Sequence, residues 1–165
     1  MNTPFLSSQS FLTNKRTLWT LFVITLLLTV SFGVVMQIWD FMLIDEMFNA
    51  DQINNHIISM TVAQKQAHIW TTATLDVLYP LAYGGLFAGI ALKAFGKSGL
   101  WLALPSLLCI PVDLTEGYAQ VMLLTGNAEF MSLKTITTPL KLALFITGLA
   151  IAIVGLIKLY KASKA

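Results

Sequence analysis

Four stretches of this chain, about residues 17–39, 70–92, 99–123 and 138–158, are long and apolar enough to cross a bilayer, for which roughly 20 residues suffice. Backbone in lipid must satisfy its own hydrogen bonds, so apolar stretches of this length read as helices. Of the 165 residues, 56% are hydrophobic and 11% charged, too little polar surface for a soluble domain of this size. The chain is therefore expected to be all-α: a polytopic membrane protein forming one antiparallel four-transmembrane-helix bundle over residues 1–165, with an outer loop at 40–69. The apolar run Leu18–Ile38 is too long for a signal-peptide core and no small-x-small site follows it, so it reads as a retained anchor.

Basic residues set the expected orientation. Lys15, Arg16, Lys93, Lys97, Lys158, Lys161 and Lys164 fall on one side of the four spans, whereas Lys65, Lys134 and Lys141 fall on or near the other. The excess marks the first side as cytoplasmic, which places both termini there in a bacterial inner (plasma) membrane.

Acids inside the apolar stretches point to the site. Asp76 lies in the second, and Asp113 and Glu116 in the third. A charge near the bilayer centre costs at least ~2.5–3.5 kcal/mol, so such groups turn to a bundle interior or a wet cavity. At a rise of about 1.5 Å per residue, all three fall in the outer part of the membrane, level with Asp40 and Lys141. Thr72, Asp76, Tyr79 and Tyr83 share one helix face, and so do Cys109, Asp113, Glu116 and Gln120. Both stripes are expected to face Lys141 across an outward-open polar pocket, with an apolar plug below. A competing reading is a salt-bridge network that only locks helix order. The excess of carboxylates over the single lysine favours a pocket.

Other classes of function find little support. One cysteine, Cys109, rules out an intramolecular disulfide. His56 and His68 precede the second span, no metal-ligand spacing is present, and no cofactor is expected. The net charge of +2, without a basic groove, argues against nucleic acid.

Local signals complete the reading. Residues 1–13 read as loose and Asn14 as the cap of the first helix. Thr25, Thr29, Gly33, Gln37 and Asp40 form a polar stripe that should face neighbouring helices. Phe41–Phe48 suits the membrane interface. Asp51 reads as the cap of a short helix carrying Ile53, Ile57 and Ile58 on one side. Thr61 with Gln64 forms a capping-box pattern before a helix starting near Val62. Pro80 should kink its helix. Residues 125–137 read as an outer loop, with Thr138 capping the last helix and Pro139 at its first position. Gly148, Ala152 and Gly155 form a small-residue face for a helix, a second copy or a membrane partner. His68 reads as a solvent-bonded interfacial residue.

The patterns Leu75-Asp76-x-x-Tyr79-Pro80-x-x-Tyr83-Gly84, Pro111-x-Asp113-x-x-Glu116 and Thr138-Pro139-x-Lys141 resemble those of small uncharacterised bacterial four-helix membrane proteins. The layout of four spans, a long first outer loop and membrane acids also resembles the EXPERA family of sterol isomerases and sigma-2-type receptors. That resemblance implies a bundle pocket whose acids engage a ligand amine or protonate a sterol. The family's histidine–glutamate set has no counterpart here, so isomerase activity is not implied. The expected function is binding of a membrane lipid or a lipophilic or amphipathic small molecule. The alternatives are a proton-coupled transporter acting as a dimer and an accessory subunit of a membrane complex.

Overall fold

The computed structural model describes residues 11–164; of residues 1–13, expected to be loose, 1–10 fall outside the described residues and 11–13 are helical. The described chain is all-helical. It comprises α1 (Lys15–Trp39), α2 (Ala50–Ser59), α3 (Val62–Phe95), α4 (Gly99–Leu124) and α5 (Met131–Ala162). Three helical stretches are long and apolar enough to cross a membrane: Lys15–Trp39, Val62–Leu124 and Ala128–Ala162. The middle one is α3 and α4 joined by a single tight turn, Gly96–Ser98.

Helix starts follow the chemistry of the first turn. Asn14 caps α1 by accepting from the Arg16 N–H at 2.9 Å. At α3 the capping box forms: the Thr61 N–H donates to Gln64 Oε1 at 2.9 Å and the Gln64 N–H to Thr61 Oγ1 at 3.2 Å. The short helix α2 is capped by Asn49, not Asp51. Its Ile53 and Ile57 are buried, but Ile58 is exposed, so the apolar face is narrower than expected.

The last helix differs most from the sequence reading. It begins at Met131, about two turns before Thr138, so Thr138 and Pro139 lie inside it. The polar connection shrinks to a turn around Gly126, whose φ of +98° favours glycine. Helices α3 and α4 also continue through Pro80, Pro105 and Pro111.

Small residues let the long helices approach closely. A Cβ on Gly99 would fall 2.6 Å from the Ala91 carbonyl oxygen, and one on Gly84 2.7 Å from Ile110. These pairs run α3 and α4 antiparallel. The Gly148, Ala152, Gly155 face of α5 is buried within the chain, with Gly148 against Ser106 and Gly155 against Ile90 and Ala94. The expected close packing is therefore present, but it is made by the chain's own α3 and α4, and this face is not free for a second copy or partner.

The first helix packs on α3: Leu21 meets Gly85, and Phe32 and Thr29 meet Tyr79. Its polar stripe does not turn inward as expected. Thr29, Gly33, Gln37 and Asp40 are exposed, and nothing lies within 4 Å of a Cβ on Gly33. Thr25 satisfies its hydroxyl on the Leu21 carbonyl one turn back, and Thr29 bonds the Thr25 carbonyl as well as the Tyr79 hydroxyl of α3.

Asp40 adopts the left-handed conformation (φ 49°, ψ 56°) and turns the chain back over the bundle. Its carbonyl accepts from Gln64 Nε2 at 2.6 Å. The segment that follows is a lid. Phe41, Ile44 and Met47 join Ile53, Ile57 and Met60 over Ala67, Leu123 and Leu124. Ile44 and Ile53 are fully buried, each worth about 1.5–3 kcal/mol. Protein thus covers Phe41, Ile44 and Met47, whereas Met42 and Phe48 of the same segment stay exposed.

Substituting Gly148→Leu should lower thermal stability by about 1–3 kcal/mol through overpacking against Ser106. Melting curves of the purified chain check this, and a wild-type melting temperature would show that α4 and α5 can separate freely there.

Candidate functional site

Beneath the lid lies a cluster of charges that α3, α4, α5 and the lid build together. Asp113 and Glu116 sit one turn apart on the inner face of α4, and Lys134, Thr138 and Lys141 recur at four and three residues on α5. The Lys141 ammonium lies 2.5 Å from Glu116 Oε2, 2.9 Å from Asp45 Oδ2 and 3.2 Å from Asp113 Oδ1. Lys134, fully buried, pairs with the other oxygen of Glu116 and donates to Thr138 Oγ1 at 2.6 Å. Thr138 in turn donates to Glu116 Oε1 at 2.6 Å.

The lid contributes Asp45, which enters from the turn Ile44–Glu46. Gln120 Nε2 donates to its Oδ1 at 2.6 Å, and Lys141 holds its other oxygen. Burial alone would raise the Asp45 pKa, but the Lys141 ammonium and the Lys141 and Gln120 hydrogen bonds outweigh it and hold the carboxyl below its ordinary value of 3.8. A second tie uses His68. The Ile44 N–H donates to His68 Nε2 at 3.1 Å, so the ring proton sits on Nδ1 and points at Thr72 Oγ1, 3.2 Å away. His68 is fully buried and packs against the Phe41 ring, contrary to a solvent-bonded role. Thr72 therefore supports the lid through His68 and does not line the main cleft.

That cleft, about 490 Å³, opens beside the charges. Asp45, Asp76, Asp113 and Lys141 line it with Thr138, and Tyr79, Tyr83, Phe48, Leu142 and Phe145 form its apolar wall. Tyr83 donates to Asp113 Oδ2 at 2.6 Å, with the Cys109 sulfur 3.1 Å from its oxygen. Tyr79 packs edge-on against Tyr83, and Tyr83 against Phe145. Below, Leu86, Phe87, Ile90 and Ala152 close the cleft with an apolar plug. Asp76 is the exception among the acids. It is 8% exposed and makes no hydrogen bond or ion pair among the described residues. It also borders a second cleft of about 320 Å³ between α3 and α4, with Thr72, Gly117 and Tyr118.

Of the residues singled out from the sequence, Asp76, Tyr79, Tyr83, Asp113 and Lys141 line one cleft. Glu116 and Gln120 lie behind it, bonded to Lys141 and Asp45. Asp40 does not join this layer; it is exposed at the end of α1, and Asp45 takes the place expected for it. Asp45 and Lys134 were missed, the first assigned to the interface and the second to an outer loop. The i, i+4, i+7 spacing of Lys134, Thr138 and Lys141 carried the signal, but only for a helix that starts before Thr138.

The charge count keeps its sign. Four carboxylates (Asp45, Asp76, Asp113, Glu116) face two ammonium groups (Lys134, Lys141), an excess of two formal negative charges. Aromatic walls beside a net negative cluster suit an organic cation, through charge and ring faces together. Among the described residues no group of histidine, cysteine and acids has the arrangement to hold a metal ion. Comparison with protein families, curated proteins and solved structures found no match to this chain.

Because the Asp45 carboxyl is held below its ordinary value, its tie to Lys141 stabilises the closed lid above pH about 4 and is lost as pH falls through the lowered value. Protection factors of the amides of residues 41–60, that is, exchange corrected for the intrinsic pH dependence, should therefore fall as pH drops below about 4. Asp45→Asn should lower them already at neutral pH and flatten the acid response. Unchanged exchange in that variant would show that apolar burial alone holds the lid.

Proposed function

We propose that this chain is a small integral protein of a bacterial inner membrane, crossing it four times with α1, α3, α4 and α5, and that it binds an amphipathic organic cation in the acidic cleft. The apolar length of the helical stretches supports the membrane reading, and the bias of Lys and Arg supports cytoplasmic termini and a cleft that faces outward. The observation that carries the binding reading is Asp76. A carboxylate in an aromatic-lined cleft, without a partner in a cluster already short of two positive charges, is completed by a ligand that brings a cation and an apolar body.

The apolar plug of Leu86, Phe87, Ile90 and Ala152 favours binding over transport. Tyr79, Tyr83, Phe48 and Phe145 would take the apolar part of the ligand, and Asp76 and Asp113 its head. Asp45 and Phe48 tie the lid to the same cleft, so a ligand would enter as the lid lifts.

The test uses the full chain in nanodiscs and a long-chain alkyltrimethylammonium as probe. The cation should raise the melting temperature, as any ligand specific for the folded state does, whereas the alkyl sulfate of equal length should not. Losing one charge-assisted contact in Asp76→Asn should weaken binding roughly tenfold or more, while the variant without ligand should melt at or above wild type because Asp76 makes no hydrogen bond or ion pair for the substitution to break. Equal responses to cation and sulfate, or undiminished binding in Asp76→Asn, would overturn the reading. A reporter fused after residue 165 should be active in the cytoplasm, and activity outside would reverse the orientation.

A further inference from the structure

A second concave site lies at the opposite end of the bundle. Helices α1 and α5 both pack on α3 and leave a groove of about 430 Å³ between them. Leu18 and Phe22 form one wall, Leu149 and Leu156 the other, and Leu86 lies on the floor. From Leu149 to Leu159 the groove follows α5 for about 15 Å. Among the described residues, its only charged lining residues are Lys15, at the start of α1, and Lys93, in the last turn of α3.

The charge around this end is one-sided. Seven of the chain's ten Lys and Arg residues belong to it: Lys15, Arg16, Lys93, Lys97, Lys158, Lys161 and Lys164. None of the eight Asp and Glu residues does, the nearest on α4 being Asp113, some 20 Å of helix rise from Gly99. Lys15 and Lys93 accordingly have no ion pair among the described residues. An apolar slot ending in two free ammonium groups matches one kind of molecule: an acyl chain carrying an anionic head.

We infer that this groove is a binding site for one anionic phospholipid, its acyl chain between α1 and α5 and its phosphate held by Lys15 and Lys93. The groove is separate from the acidic cleft, and the inference does not rest on cation binding there. It requires only that the lysine-bearing end lie at headgroup level, where each nearby lysine favours anionic lipid by electrostatics alone. Two lysines converging on one groove should make this site selective beyond the general field of that face.

Trp19 lines the groove and reports on it directly. The full chain, with Trp39, Trp70 and Trp101 replaced by Phe, is placed in phosphatidylcholine vesicles containing a small fraction of brominated lipid. Brominated phosphatidylglycerol should quench Trp19 with an apparent affinity roughly tenfold or more above that of brominated phosphatidylcholine. The double variant Lys15→Gln, Lys93→Gln should abolish the preference. The control Lys97→Gln, Lys164→Gln removes the same charge from the same end and should retain it. Equal quenching by both lipids would overturn the inference, since the groove would then take any acyl chain. Loss of the preference in both double variants would overturn it too, because the whole face and not the groove would attract the lipid. Quenching by neither lipid would overturn it as well, because no acyl chain would then occupy the groove.

Discussion

One ammonium group, that of Lys141, touches carboxylates from two separate parts of the chain, and the lid end of the molecule is arranged around it. Asp113 and Glu116 reach it from α4, and Asp45 from the lid. Removing charges from water costs several kcal/mol per ion even after relaxation, and a dense network repays this only if nearly every donor and acceptor is engaged. Here Thr138, Gln120, Tyr83 and Lys134 supply the remaining bonds. The network fixes the depth of α5 against α4 and the seat of the lid. Packing of small residues at Gly148 and Gly155 fixes the same helices farther along. Between the two constraints α5 runs as one continuous helix through Pro139.

A network built only for stability would be balanced. This one carries two more acids than bases, and Asp76 stands apart from every pair. Hydrophobic replacement of a buried pair is often neutral or stabilising, so an unmatched carboxylate beside an open cleft makes sense as a feature kept for a ligand. In the proposed reading the protein's two ends then divide the labour by charge. The outer end gathers carboxylates beneath a lid and suits a cation. The inner end gathers lysines and suits an anionic lipid.

Much was legible in the chain itself. Apolar stretches, the Thr61–Gln64 box and Asn14 placed α1, α3 and α4 within a few residues, because caps and hydrophobic length are local properties. The helical stripes of Asp76, Tyr79 and Tyr83 and of Asp113 and Glu116 pointed to one cleft for the same reason: periodicity puts residues on a face without any knowledge of partners. The larger error in helix starts, reading Thr138-Pro139 as an N-terminus, came from a motif that fits a helix start and a helix interior equally well when a threonine hydroxyl can bond back to Lys134.

Composition and local pattern thus determined by themselves that the chain is helical, where its long helices lie, and which side chains share a face. Only the tertiary structure decided that Asp45 and not Asp40 completes the acidic layer, that Lys134 is buried, that His68 holds the lid, and that the small-residue face of α5 is used within the chain. The physical reason is sequence distance. Asp45 and Lys141 are 96 residues apart, Ile44 and His68 are 24 apart, and Gly148 meets Ser106. No period or cap encodes such contacts; they exist only once the helices have packed and the loop has chosen the surface that buries Ile44.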